Sequence, residues 1–123
     1  MKIGLTATAS ELVTTNNTAA TLGSGFLDVY ATPAMIALME KAASLAVADF
    51  LPATESTVGI SLNVQHSAAT PLGQQVTATA TLVSIEGKKL VFEVTAKDEQ
   101  KTIGQGNHER FIINIEKFLN KLK

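Results

Sequence analysis

Three polar side chains, Thr32, Glu40 and His66, interrupt stretches that are otherwise apolar or built of small residues. A carboxylate can act as a base or nucleophile, an imidazole can move a proton near neutral pH, and a hydroxyl can orient either group. Glu40 follows Thr32 by eight residues, just over two helical turns, so both side chains can project in related directions. The pattern indicates a partly buried acid and base, and we expect the carboxylate and the imidazole to converge on one small cavity.

Each of these residues also has a purely structural explanation. Glu40 fits an exposed helical glutamate that is solvated or paired with Lys41. Thr32 precedes Pro33, and a threonine followed by proline is a typical start of a helix, with the hydroxyl capping a free N–H group. If the two-residue period of a strand holds up to His66, that side chain shares a face with Val64 and points inward, where a histidine is often only hydrogen-bonded core.

A second polar group lies near the end of the chain, between Gly104 and Arg110. The glycines at 104 and 106 allow a bulge or a close backbone approach, and alternation places His108 and Arg110 on one face. Arg110 either binds a phosphate or carboxylate of a ligand or forms a structural ion pair with Glu109 or another acid. With two histidines and no cysteine, the sequence gives no reason to expect a metal site.

Composition limits the classes of protein to which these residues can belong. The 123 residues are 46% hydrophobic, enough for one core, and we expect a single domain over residues 1–123. The net charge of −1 provides no basic surface for nucleic acid. No apolar run reaches the length of a membrane span, and the first residues lack a signal-peptide core, so we expect a soluble cytoplasmic protein without membrane partners. The absence of cysteine is compatible with a reducing compartment.

The elements that must position the polar residues follow from periodicity. Apolar residues with helical spacing predict a helix that begins at Thr32-Pro33 and ends at Leu51-Pro52, and because it is apolar around most of its girth, it must be wrapped by a sheet. A two-residue period predicts strands over 58–67, 74–85, 89–97 and 102–115, and less clearly over 2–15. The last three are joined by short turns and should be antiparallel neighbours. This order predicts an α+β hot-dog fold, an antiparallel sheet around one long helix.

The remaining segments predict loops and ends. Residues 16–25 are typical of a loop, Phe26 to Tyr30 form an apolar patch before the helix, and residues 116–123 form either a last helical turn or an exposed end. The apolar helix and the edges of a short sheet both need cover, which favours a homodimer or a dimer of dimers.

Four segments together resemble a known family. They are Ala31-Thr32-Pro33, Leu38-Met39-Glu40, the run from Asn63 to Gly73 with the pattern H-x-A-A-T-P-x-G, and Ile103 to Arg110 with G-x-H-E-R. This combination is similar to hot-dog thioesterases of the fluoroacetyl-CoA thioesterase type, over about Phe26 to Phe118. The resemblance implies hydrolysis of a short-chain acyl-CoA by a homodimer, with CoA arriving as part of the substrate and no metal or resident cofactor.

The same resemblance implies roles for particular residues. Thr32, Glu40 and His66 would be catalytic: Glu40 attacks the thioester or activates water, Thr32 orients Glu40 or the acyl group, and His66 manages the proton. Gly59 would donate its N–H to the oxyanion. Phe26 would lie near the acyl pocket, although a core phenylalanine explains it equally well. Arg110 is the remaining candidate for substrate binding.

Other functions stay open on the sequence alone. The same fold could bind an acyl-CoA without hydrolysing it, add water to an enoyl-CoA as a hydratase does, or serve only as a structural dimer. The sequence does not assign the members of the trio to one subunit or the other.

Overall fold

The computed structural model describes all residues from Met1 to Lys123. The chain forms, in order, β1 (Thr6–Leu12), α1 (Ala19–Leu22), α2 (Thr32–Ala48), β2 (Glu55–His66), β3 (Gln75–Glu86), β4 (Lys89–Lys97), β5 (Thr102–Asn114) and α3 (Ile115–Asn120). The four predicted later strands lie within three residues of their expected bounds, whereas β1 is shorter than the predicted stretch. None of the helices combines the length and apolar character that crossing a bilayer requires.

The five strands form one antiparallel sheet in the order β1-β3-β4-β5-β2. As predicted, β3, β4 and β5 are consecutive neighbours. The β3–β4 turn contains Gly87 at φ 63°, which glycine adopts without strain. In the β4–β5 turn, the Asp98 carboxylate accepts hydrogen bonds from the backbone N–H groups of Gln100 and Lys101 and from the Thr70 hydroxyl. These contacts stabilise the conformations of the two turns.

Helix α2 packs on the sheet and supplies much of one continuous core of 21 buried apolar residues. Alternate residues of β4 are buried against it, as the two-residue period predicts: Leu90, Phe92, Val94 and Ala96. The helix contributes small and flexible side chains at its buried positions, including Ala42, Ala43, Met35 and Met39. Small residues allow the sheet to approach the helix closely along its length.

The start of α2 differs from the prediction. Thr32 is the first residue of the helix rather than its N-cap, and the capping position is taken by Ala31, which has no side-chain hydrogen bond. The Thr32 hydroxyl instead contacts the imidazole of His66. The capping interpretation of Thr32 is therefore wrong, because its hydroxyl forms a hydrogen bond with His66, 34 residues further along the chain.

The segment before α2 also differs from the prediction. A short helix, α1, interrupts the expected loop and is capped by the Thr18 hydroxyl, which accepts from the N–H of Thr21. Phe26 and Leu27 are 99% and 69% exposed, so they do not form a compact apolar patch with Tyr30, which is buried. The tail is helical, since α3 follows β5 directly.

Strand β2 is an edge strand that pairs only with β5. Gly59 lies opposite Arg110 and Ser61 lies opposite Glu109, so Ile60 is the extra residue of a bulge. A bulge shifts the alternation by one residue, and it places both Gly59 and His66 on the inward face of the strand. Ile60 and Leu62 are 50% and 39% exposed on this open edge.

Candidate active site

Thr32 and His66 form one half of the candidate site. The Thr32 Oγ1 lies 2.7 Å from His66 Nδ1, which joins the first residue of α2 to the last residue of β2. Both side chains line a cleft of about 260 Å³. The other lining residues are small or apolar except for Tyr30: Ala19, Ser24, Val29, Ser67, Ala68 and Ala69. A cleft of this size and lining suits a small acyl group.

The environment of the His66 imidazole favours its neutral form. Burial lowers the pKa of His66 from its ordinary value of 6.5, so the ring is uncharged at neutral pH. Its Nε2 is buried and has no hydrogen-bond partner within the protein. Because a buried polar atom without a partner is unfavourable, this nitrogen is the atom most ready to bond to a substrate or a water molecule.

Glu40 belongs to a second group of polar residues. Its Oε2 lies 3.3 Å from the Arg110 Nη1, and its side chain is 37% exposed. A Cβ added to Gly59 would lie 2.6 Å from the same carboxylate oxygen, so only glycine leaves room for it. The Glu40 carboxylate therefore packs directly against the backbone of β2 at Gly59, the residue expected to donate its N–H to the oxyanion.

Arg110 is buried and holds this group together. Its guanidinium makes four hydrogen bonds, to Glu40, to the ring of His108, and to the side chain and backbone carbonyl of Thr57. Of the two alternatives from the sequence, the ion pair with another acid is confirmed, and that acid is Glu40 rather than Glu109. Arg110 therefore positions the Glu40 carboxylate, and its contact with the substrate stays a prediction.

His108 has a fixed tautomer. Its Nδ1 lies 2.9 Å from the Ser61 carbonyl oxygen, so Nδ1 carries the hydrogen and donates it. Its Nε2, 3.1 Å from the Arg110 guanidinium, must then accept. The ring is fully buried, and burial lowers its pKa. His108 therefore stays neutral and fixes Arg110, a role that sequence reasoning missed because the Ser61 contact crosses between two strands.

The two halves of the site do not meet within one chain. Eight residues of helix separate Thr32 from Glu40 by about 12 Å along the axis. Seven residues of strand, one of them the bulge residue Ile60, separate Gly59 from His66 by roughly 20 Å. Neither Glu40 nor Gly59 lines the cleft that contains Thr32 and His66. The expected convergence of carboxylate and imidazole is therefore wrong for a single subunit, because the helix and the strand hold these residues at a distance from each other.

The family of the chain follows from comparison with known proteins. The family described as fluoroacetyl-CoA-specific thioesterase matches residues 13–116. The chain belongs to this family. The fluoroacetyl-CoA thioesterase of Streptantibioticus cattleyicolor is 45% identical over 98 residues, which cover 80% of this chain and 70% of the relative. This membership confirms the prediction of an acyl-CoA thioesterase with a short-chain substrate.

Solved structures of the same kind confirm the hot-dog fold. A fluoroacetyl-CoA thioesterase superposes with a TM-score of 0.93 at 39% identity, covering 99% of this chain and 95% of its own. A phenylalanine-to-alanine mutant of that thioesterase, in complex with fluoroacetate and CoA, has a TM-score of 0.90 at 39% identity, covering 96% and 99%. A Thermus thermophilus hypothetical protein, a thioesterase superfamily member, is 28% identical with a TM-score of 0.88, covering 98% and 92%.

Phe26 occupies the tip of the loop beside the first half of the thioesterase site. It is 99% exposed, so the core alternative is wrong. Ser24 and Val29, on either side of it, line the cleft of Thr32 and His66. The side chain itself does not line the cleft in the single chain, and its part in the acyl pocket stays a prediction.

Proposed function

We propose that the chain hydrolyses its acyl-CoA substrate in a homodimer, at a site built from Thr32 and His66 of one subunit and Glu40 and Gly59 of the other. The observation that carries this proposal is the placement of the two polar groups toward opposite ends of the open edge strand. Gly59 and His66 both face inward on β2, on either side of its middle. A site divided in this way is completed by a second copy.

The symmetry of the edge strand supports this arrangement. An antiparallel pairing of β2 with a second copy, about a two-fold axis at Asn63 and with the bulge residue Ile60 left unpaired, puts Gly59 of one chain opposite His66 of the other. Such a contact uses the same surface on both subunits, as two-fold dimers do. It also covers the exposed side chain of Ile60 and satisfies the backbone groups of an edge strand 12 residues long. Two equivalent sites result.

The proposed reaction uses each member of the trio in a different way. Glu40 either attacks the thioester carbonyl, giving an anhydride that water then cleaves, or takes a proton from a water molecule whose oxygen attacks. In both routes negative charge develops on the carbonyl oxygen, where the Gly59 N–H would donate. The carbon–sulfur bond then breaks, and the departing CoA thiolate takes a proton. The products are the free acid and CoA.

The Thr32 hydroxyl sets the proton position on His66. When this hydroxyl donates to Nδ1, the neutral ring carries its hydrogen on Nε2, the buried atom without a protein partner. Nε2–H can then polarise the carbonyl or protonate the leaving sulfur. In this proposal Thr32 orients His66, whereas the expectation was that it orients Glu40 or the acyl group. No metal or resident cofactor enters the proposed steps.

The acyl group is proposed to be short, of two to four carbons. The cleft beside Thr32 is lined by alanines and serines, and Phe26, exposed at the tip of its loop, is placed to fold over the mouth. Because the sequence contains no cysteine, a reducing compartment suits the protein, and we place it in the cytoplasm.

A panel of acyl-CoA thioesters of rising chain length, beginning with fluoroacetyl-CoA and acetyl-CoA, tests the proposal. We expect thiol release to be fastest for the shortest chains and to fall as the chain outgrows the cleft. Binding of the panel without thiol release above background would instead identify a non-catalytic acyl-CoA binding protein. Loss of enoyl absorbance without thiol release would identify a hydratase.

A further inference from the structure

A cleft separate from the Thr32–His66 half lies where β5 turns into α3. Its volume is about 180 Å³. Lys88, Lys117 and Lys121 line it together with Phe111 and Phe118. No glutamate or aspartate lines it, so three cations and two aromatic rings meet in one concave surface. We refer to it as the lysine cleft.

The charges of the lysine cleft are not neutralised by the protein. The four ion pairs of the chain use Lys89, Lys101 and Arg110, and none uses Lys88, Lys117 or Lys121. Unpaired like charges held around one cleft repel one another, and an anion would relieve that repulsion.

The other two clefts lack this chemistry. The one beside Thr32 and His66 has no lysine or arginine in its lining, and the third contains Glu93 as its one charged residue. Only the lysine cleft suits a polyanion. Phe111 is 39% exposed, so an aromatic ring is also available for stacking against a base.

We propose that the lysine cleft binds the phosphate-bearing adenosine end of the CoA substrate. This inference rests on the proposed hydrolysis of acyl-CoA. The lysines would contact the phosphate groups as mobile point charges, and an aromatic side chain would stack on the adenine.

The position of the cleft agrees with a substrate that extends along β5, from the reaction site near Glu40 to the lysine cleft. Arg110, which holds Glu40, lies directly before Phe111 on β5, and Asn114 at the end of that strand lies about 13 Å further on. The acyl group would occupy the cleft of Thr32 and His66 of the partner subunit, and the thioester would lie over Gly59. The pantetheine arm would then run along β5 to the lysine cleft.

The test compares two substrates that differ only in the nucleotide. Acetyl-CoA carries it, and S-acetylpantetheine lacks it. In a variant with Lys88→Gln, Lys117→Gln and Lys121→Gln, we expect KM for acetyl-CoA to rise at least about tenfold, with kcat little changed. The kcat/KM for S-acetylpantetheine should stay within about twofold of the unmodified protein, since that substrate never enters the cleft.

A matched variant controls for the lost charge. The control variant removes three exposed lysines outside the cleft, by Lys2→Gln, Lys41→Gln and Lys97→Gln. We expect its KM for acetyl-CoA to equal that of the unmodified protein. An equal rise of KM in both triple variants, or an equal loss with both substrates in the first, would overturn the proposal.

Direct binding separates this proposal from the hydrolase proposal. Titration calorimetry with adenosine 3′,5′-bisphosphate should show binding to the unmodified protein and at least tenfold weaker binding to the Lys88, Lys117 and Lys121 variant. Inorganic phosphate should bind much more weakly, and equal binding of the two would contradict a nucleotide site. This measurement decides the matter even for a preparation that releases no thiol.

Discussion

The protonation state of His66 determines the pH range in which the site can work. Burial holds the pKa of this imidazole below 6.5, so the neutral ring persists into mildly acidic solution and is lost as the pH falls through the lowered value. We therefore expect kcat for acetyl-CoA to reach its acid half-point below pH 6.5. A half-point at or above pH 6.5 would show that His66 in its neutral form is not the group that limits the rate.

Glu40 is the residue whose charge the proposed reaction cannot do without. Glu40→Gln keeps the shape of the side chain and can still accept a hydrogen bond from Arg110, but it can neither attack nor take a proton. We expect thiol release to fall at least about 100-fold, with substrate binding retained. Lys41→Gln, its exposed neighbour on α2, is the control and should keep the unmodified rate. Persistence of that rate in Glu40→Gln would refute the assigned role.

Individual residue types were predicted better than their contacts. Thr32, Glu40 and His66 stand out because each interrupts an apolar surrounding, a signal that lies in the sequence itself. A threonine before a proline looks the same whether it caps a helix or bonds to a histidine on a distant strand. The role of His108 depends on the Ser61 carbonyl across the sheet, and no local pattern encodes that contact.

The bulge in β2 is the structural element that brings Gly59 to the carboxylate. Without the extra residue at Ile60, simple alternation would turn Gly59 away from the face that carries His66. Periodicity predicted the strand and the inward direction of His66. A two-residue period does not show where one extra residue is inserted. The site residue at 59 could be named only from the resemblance.

Gly59→Ala tests this close approach. The new Cβ would lie 2.6 Å from the Glu40 Oε2 and 3.4 Å from the Arg110 Nη1, so the carboxylate must move. We expect kcat to fall about tenfold or more, while KM for acetyl-CoA and the melting temperature change little, since Gly59 is exposed and at a strand edge. Ser61→Ala, two residues away on β2, is the control. Unaltered kcat in Gly59→Ala would argue against the placement of Glu40.

At the scale of the whole molecule, the open edge of β2 predicts a dimer. A long edge strand with exposed apolar side chains is unfavourable in solution unless another chain pairs with it. Asn63→Lys would place two lysines directly opposite each other at the proposed two-fold axis. We expect sedimentation to show a dimer for the unmodified protein at micromolar concentration and a large shift toward monomer for this variant, together with loss of thiol release.

Asn107→Lys provides the matched control for the edge variant. Asn107 lies opposite Asn63 in the β2–β5 ladder, on a strand with neighbours on both sides, and it is also exposed. The added charge there should leave the dimer and the activity intact. A monodisperse monomer of the unmodified protein, with full activity, would contradict both the dimer and the divided site.

The hot-dog fold was predictable because one apolar helix followed by strands of period two admits few arrangements. The separation of Glu40 from His66 within one chain was not, because neither the distance between distant segments nor the surface that a second copy covers can be read from the sequence of one chain. Eight residues of helix suggested proximity, and the regular geometry of that helix instead separates the two groups.

Subunit complementation is the measurement that tests the divided site most directly. Glu40→Gln and His66→Ala chains, each inactive alone, are refolded together so that mixed dimers form. One of the two sites in each mixed dimer then has Glu40 and His66 both intact, so we expect about one quarter of the unmodified rate of thiol release from a random mixture. A mixture no more active than the two variants measured separately, with mixed dimers present, would mean that each subunit carries a whole site of its own.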